Sequence, residues 1–319
     1  MSTDGLADSV AETVAAQEGK IRGACLEIVA AINDWRSGAV GGFETAVFLW
    51  ESVCLPSLLH GSGTWTEITA ATEKKLNQIQ YWFLSMVCQV GPGAPRASLL
   101  WDFQLLDMSF RVWEEKIRLI LFIKGLCEES LSRQVYEEQK LNNWPGLAKE
   151  TAKICQTLNI EDVNSTHKDK NTYMKIFLEA CHHKNEGNLR GLATGKCERI
   201  SAEIYEKKDY ILSKNIFTAR QHYRTRWGMQ AFAGNYSHDK RYAGSNWLCL
   251  CQESREEESH LKSGDCKVYG DLTLKYSDLT CDENLADLFT EVLARRELLT
   301  KQTNNNHQTT NKEQQTNNL

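Results

Sequence analysis

Apolar residues recur at three- and four-residue spacing over most of this chain, and sustained two-residue alternation is nearly absent. The pattern predicts a mostly all-α protein. Residues 1–19 are polar and acidic and read as a flexible N-terminus. A weakly amphipathic helix follows around Ala24–Trp35, with Ile28, Ile32 and Trp35 on one face. Gly38, Gly41 and Gly42 break it. Phe43–Leu59 predicts an apolar helix stopped by Pro56. A long helix is expected from about Glu67 to Val90, its face drawn by Leu76, Ile79, Gln80, Phe83 and Val87. Gly91, Pro92, Gly93 and Pro95 interrupt the chain. A short helix then fits Ala97–Leu106, and Met108–Cys127 is strongly periodic. In that last helix Val112, Ile117, Leu121 and Phe122 are expected inward, and Glu114, Glu115 and Lys116 outward.

Ser130 opens a helix toward Leu141, and Pro145 suits the first turn of the next. No proline occurs after Pro145, so Asn171–Lys184, Lys196–Leu212 and Ser213–Trp227 can run as long helices. Strand pairing is expected only in short pieces near Trp247–Cys251 and Cys266–Tyr269. Residues 300–319 are almost wholly Asn, Gln, Thr and Lys, which predicts a disordered C-terminal tail. The pattern divides the chain into a helical bundle at 20–150, a helical connection with a basic helix at 151–244, and a Cys/His-bearing segment with a closing helix at 245–299.

Composition narrows the class. Hydrophobic residues make up 41% of the 319, enough for a real core, and charged residues 25%. A net charge of −5 exerts no global pull on nucleic acid, so any such binding must come from local basic patches. The most apolar stretch, Ile117–Ile123, is far shorter than the ~20 residues of a membrane span. The N-terminus resembles neither a signal nor a transit peptide, and the eleven cysteines are irregularly spaced. These features predict an intracellular, reduced protein of the cytoplasm or nucleus, with no membrane partner. The tryptophans at 50, 65, 82, 101 and 113 read as core.

One short stretch carries a chemical signature. WLCLCQESREEESHLKSGDCKVY, Trp247–Tyr269, holds Cys249, Cys251, His260 and Cys266. Three thiols and an imidazole are the donors of a CCHC-type zinc knuckle, with ligands about 2.0–2.3 Å from Zn2+. Only Leu250 separates Cys249 from Cys251, where knuckles usually place two residues. One of that pair can therefore be a bystander, with His238 or Cys281 completing the shell. Reduced thiols beside a solvated acidic run, Glu256–Glu258, are the alternative. Upstream, IFTARQHYRTRW sets Arg220 and Arg224 one helical turn apart, with Arg226 beside them. Tyr223 and Trp227 interleave with these cations, and Lys240 and Arg241 extend the charge toward the cysteines. Guanidinium forks suit phosphates and aromatic rings suit unstacked bases, so this helix is a candidate surface for RNA or single-stranded DNA. The alternative is an amphipathic helix with core aromatics and solvated arginines.

The order of segments carries a resemblance. Leu49–Trp65, LWESVCLPSLLHGSGTW, resembles the stretch just after the palm in reverse transcriptases of non-LTR retrotransposons. Leu76–Phe83 is similar to the family's Leu-x-x-Ile-Gln-x-x-Phe helix, and Pro92–Pro95 to its Pro-bounded loop. A basic helix and a C-terminal Cys/His knuckle complete the order over most of residues 20–295. The resemblance implies a thumb-like bundle, connecting helices and a zinc knuckle that grip template RNA or target DNA. The family's aromatic-x-Asp-Asp motif is absent, and the chain holds no adjacent Asp pair to bind Mg²⁺. The expectation is a nucleic-acid-binding protein that is not an enzyme by itself. A metal-free helical interaction scaffold, or part of an active polymerase whose palm lies on another chain, are the other readings.

Overall fold

The computed structural model describes residues 3–33, 42–65, 68–91, 94–166, 168–212, 215–227, 229, 248–254, 258–276, 279 and 284–299. It is mostly helical, and the described residues form no strand. The 300–319 tail lies outside them. The chain divides into two compact units, Met1–Lys214 and Asn215–Leu319.

The first unit opens with α1, Thr3–Asn33. Val10, Val14, Ile21, Cys25, Ile28 and Ile32 are all buried along it, so the expected flexible 1–19 is largely helical. Val10 and Val14 alone carry the described face before Ile21, and so thin a stripe is recognisable only once a partner covers it. That partner is α4, Ala70–Cys88, with Lys75 paired to Glu18 at 3.0 Å. Thr69 caps α4, its hydroxyl accepting from Thr72 N at 3.2 Å.

Pro56 does not end the helix it sits in. Phe43–Leu49 (α2) continues through a π-helical turn, Trp50–Cys54, into Leu55–Leu58 (α3). The wide turn loosens the i→i−4 ladder just ahead of the proline, so its missing N–H costs little there. The same stretch aims Trp50 into the core, stacked on Phe83 with ring centroids 5.0 Å apart. Trp65 and Trp101 are also buried, while Trp82 and Trp113 are half-buried.

Helices α5 (Arg96–Phe103) and α6 (Met108–Lys124) are joined by a buried loop whose backbone is held by side-chain amides. Asn77 Oδ1 accepts from Met108 N at 3.0 Å. Gln80 and Asn185 donate to the carbonyls of Leu106 and Leu105, at 3.1 and 3.0 Å. Asn77→Ala strands the buried Met108 amide, for an expected loss of about 1–3 kcal/mol. The loss should register as a lower denaturant midpoint with an unchanged slope.

Two outward assignments and one inward assignment on α6 are corrected. Glu114 and Lys116 are buried, and Phe122 is exposed. Arg111 and Arg118 flank Glu114 at 3.2 and 2.5 Å, and Lys116 pairs with Glu150. These ion pairs let charged residues occupy an inner face that sequence periodicity assigns to apolar ones.

The unit is completed by α7 (Leu131–Leu141), α8 (Leu147–Leu158) and α9 (Lys170–Gly191). Asp169 caps α9, accepting from Asn171 N and Thr172 N at 3.0 Å. One core joins Phe110, Ile117 and Ile120 to Ile154, Leu158, Tyr173 and Phe177. Residues on both sides of position 150 share it, so no boundary falls there. The helix expected over Lys196–Leu212 is instead two short 3-10 turns, Gly195–Ser201 and Asp209–Leu212.

The second unit contains α10 (Ile216–Arg226), α11 (Glu258–Lys262), α12 (Gly270–Thr273) and α13, residues 284–299. The last is the expected closing helix.

Candidate metal centre

The Cys/His cluster is assembled by two tight turns and one short helix. Cys249 N donates to Ser254 O and Gln252 N to Cys249 O, both at 2.8 Å. Gln252 takes a left-handed φ of 63°. This fold-back turns Cys251 toward Cys249 although only Leu250 lies between them. His260 comes from α11, anchored by the fully buried Leu261 beside it. Cys266 sits in a loop closed on itself, its carbonyl accepting from Tyr269 N at 3.2 Å and Gly270 N at 2.7 Å.

Gly264 supplies a φ of +75° in that loop. A Cβ on Gly270 would lie 2.3 Å from the Gly264 carbonyl oxygen, so the backbones meet at a distance only glycine permits. Thr273 Oγ1 donates to Leu261 O at 3.1 Å, tying α12 to α11.

The four ligand atoms lie within 4.8 Å of one another. Cys249 Sγ is 3.5 Å from Cys266 Sγ, and Cys251 Sγ is 3.4 Å from His260 Nε2. Bonds of about 2.3 Å to sulfur and 2.0 Å to nitrogen give tetrahedral edges of about 3.8 and 3.5 Å, close to these spacings. A disulfide would need about 2.05 Å, and these cysteines are free. The cluster can therefore hold a metal ion, and among the described residues no other Cys/His/carboxylate group is so placed. His238 and Cys281, the alternative ligands, lie outside the described residues.

Cys249 and Cys266 are buried; Cys251 and His260 are half-buried. Burial, reinforced by Cys266 and Cys251, pushes the Cys249 thiol up to about 12. Burial acts the same way on Cys251, but backbone N–H groups of Glu253 and Ser254 and the neighbouring thiols outweigh it and hold that thiol below its usual range.

The centre is part of a small core. Cys249, Cys266, Leu261, Tyr269 and Leu272 pack with Leu285, Leu288, Phe289 and Val292 of α13. Arg295 of α13 donates to Val268 O at 3.0 Å and forms a fork to Asp271 at 2.5 and 2.8 Å. That fork holds the Asp271 carboxyl below its usual range. Lys275 and Tyr276 both reach Glu291, at 2.7 and 3.0 Å. Gly270 and Arg295 were not singled out from the sequence. A glycine four residues after a candidate ligand is a usable signal, whereas an arginine on a distant helix is not.

The basic helix is placed differently from the expectation. Asn215 caps α10 through Phe217 N and Thr218 N, at 3.0 and 3.3 Å. Arg220 is 1% exposed, Arg224 9%, Tyr223 0% and Trp227 1%. Rings and guanidinium groups so enclosed offer no face to a base or a phosphate, so the exposed surface assigned to these four residues is corrected. The signal was present: Ile216, Ala219, Tyr223 and Trp227 follow a helical apolar stripe, and Arg220 falls inside it. Only Arg226 stays half-exposed, its guanidinium 5.1 Å from the Trp227 ring centroid. Lys240 and Arg241 lie outside the described residues.

No helix among the described residues is long and apolar enough to cross a membrane. The chain matches no family model, no curated protein and no solved structure.

Proposed function

We propose that this chain is a nucleic-acid-binding protein built like the C-terminal part of a non-LTR retrotransposon reverse transcriptase, with one structural Zn2+ held by Cys249, Cys251, His260 and Cys266. The observation that carries the reading is the four-donor cluster set in a turn-rich loop after a long run of helices. Three sulfurs and one nitrogen favour zinc over the hard cations that prefer oxygen. A centre with four protein ligands leaves no open position for substrate or an activated water, so its role is to hold the loop and α13 together. The segment order described above supplies the link to reverse transcriptases, and the missing Asp-Asp motif removes polymerase chemistry from this chain alone.

Binding to an unstructured single-stranded RNA, measured at a series of salt concentrations, tests the reading. Phosphate contacts should make log affinity fall with log salt by roughly 0.7 per contact. Absence of salt-dependent binding by the zinc-loaded protein would overturn it. A helical interaction scaffold is the second reading. It is favoured by the buried α10 face and by the exposed Leu131, Val135, Leu141 and Trp144 on and after α7. On that reading any partner is held with little salt dependence.

A further inference from the structure

Burial of the α10 arginines leaves the nucleic-acid reading without its expected surface, and the first unit offers another. A cleft of about 1050 Å³ opens among α6, α8 and α9. Its floor is apolar: the half-buried Trp113 is the ring open to the cleft, backed by the buried Leu76, Phe110, Val112 and Ile154. Its rim is cationic. Lys149 and Lys153 stand one turn apart on α8, and Lys184 comes from α9. All three are exposed, and among the described residues none is engaged by a carboxylate. Two carboxylates also line the cleft. Glu150 is held by the buried Lys116, and Glu73 faces the cleft from α4. The lining therefore carries two more cations than anions in a protein whose net charge is −5.

We propose that this cleft is a binding site for single-stranded nucleic acid, with the backbone phosphates on Lys149, Lys153 and Lys184 and an unstacked base against Trp113. The inference rests on the function proposed above and gives it a location. Charge complementarity selects a polyanion, and the floor selects among polyanions. An acidic peptide or free polyphosphate has nothing to lay on the half-buried Trp113, and a duplex keeps its bases stacked inside. A single strand satisfies rim and floor together. The cleft lies at the upper end of the ~300–1,000 Å³ range typical of small-ligand pockets and is open on one side. No sequence motif marks the site, because its lysines come from α8 and α9 and its floor from α4, α6 and α8.

The test uses the full zinc-loaded chain and fluorescence anisotropy with a short oligouridine, a duplex of matched length and a polyglutamate peptide. The triple variant Lys149→Gln, Lys153→Gln, Lys184→Gln changes only exposed side chains. It should weaken oligouridine binding about tenfold or more at low salt. The salt slope should become shallower by about 2, at roughly 0.7 per lost contact. Glu73→Gln should tighten binding. Removing three exposed lysines that do not line the cleft, Lys20, Lys74 and Lys175, should leave affinity within about twofold. If the parent binds oligouridine and the cleft variant matches it in affinity and slope, the cleft proposal falls while the nucleic-acid reading stands. If the parent binds none of the probes, both fall. Preference for duplex or for polyglutamate would overturn the single-strand assignment.

Discussion

Chelating the proposed zinc should unfold the core around Cys249, Leu261, Cys266 and Phe289 while the first unit keeps its structure. The thermodynamic reason is that an unfolded chain has no preformed site, so the free energy of binding appears as folding free energy. For structural zinc in small modules it is about 10–16 kcal/mol near neutral pH. Nine buried residues form the core of this segment, and two of them are the thiols Cys249 and Cys266. Without an ion, those sulfurs and His260 are polar groups in an apolar setting with few other partners. Cys266→Ser should act like chelation, since it removes a buried ligand. The first unit has its own cores, including the one from Phe110 to Phe177. Hydrogen exchange reads the outcome directly. Amides in 261–272 and 284–292 should lose protection on chelation, and those of α4, α6 and α9 should keep theirs. Unchanged protection in the first set would mean that α13 packs without a metal.

Gly270→Ala should be the most damaging single methyl added near the site. The new Cβ would start 2.3 Å from the Gly264 carbonyl oxygen; the backbone fixes its position and the oxygen is itself a backbone atom, so no side chain can swing aside. The loop must open to admit it, at an expected cost of about 3 kcal/mol or more, at or above the upper end for overpacking. Opening the loop also moves Cys266, because the Gly270 and Tyr269 amides hold its carbonyl. Zinc affinity, measured by competition with a chromophoric chelator, should therefore drop together with stability. Gly264→Ala provides a graded comparison. It meets no close atom, and its φ of +75° costs a side chain only about 1–2 kcal/mol. Equal and small effects from the two variants would show that the 264–270 loop yields easily and does not fix Cys266.

Helix content, the breaks near residues 91–95 and the four members of the Cys/His cluster were all legible in the amino-acid sequence. Each rests on information local in the chain. Leu76, Ile79, Phe83 and Val87 declare a face by spacing alone, and Cys249, Cys251, His260 and Cys266 fall within eighteen residues of one another. What the tertiary structure decided is of another kind. Glu114 and Lys116 are inward because Arg111, Arg118 and Glu150 meet them there, and those partners come in part from a separate helix. Residues 3–33 are helical because α4, with α2 and α3, covers a stripe too sparse to stand alone. Arg220 and Tyr223 lie on the covered side of α10, which reverses the role that their chemistry suggested. The three rim lysines come to line one cleft only when α8 and α9 stand side by side. Local spacing determines which elements form, since helix periodicity and ligand reach act over a few residues. Burial of a charge and convergence of a surface depend on contacts between residues far apart in the chain, and those exist only once it has folded.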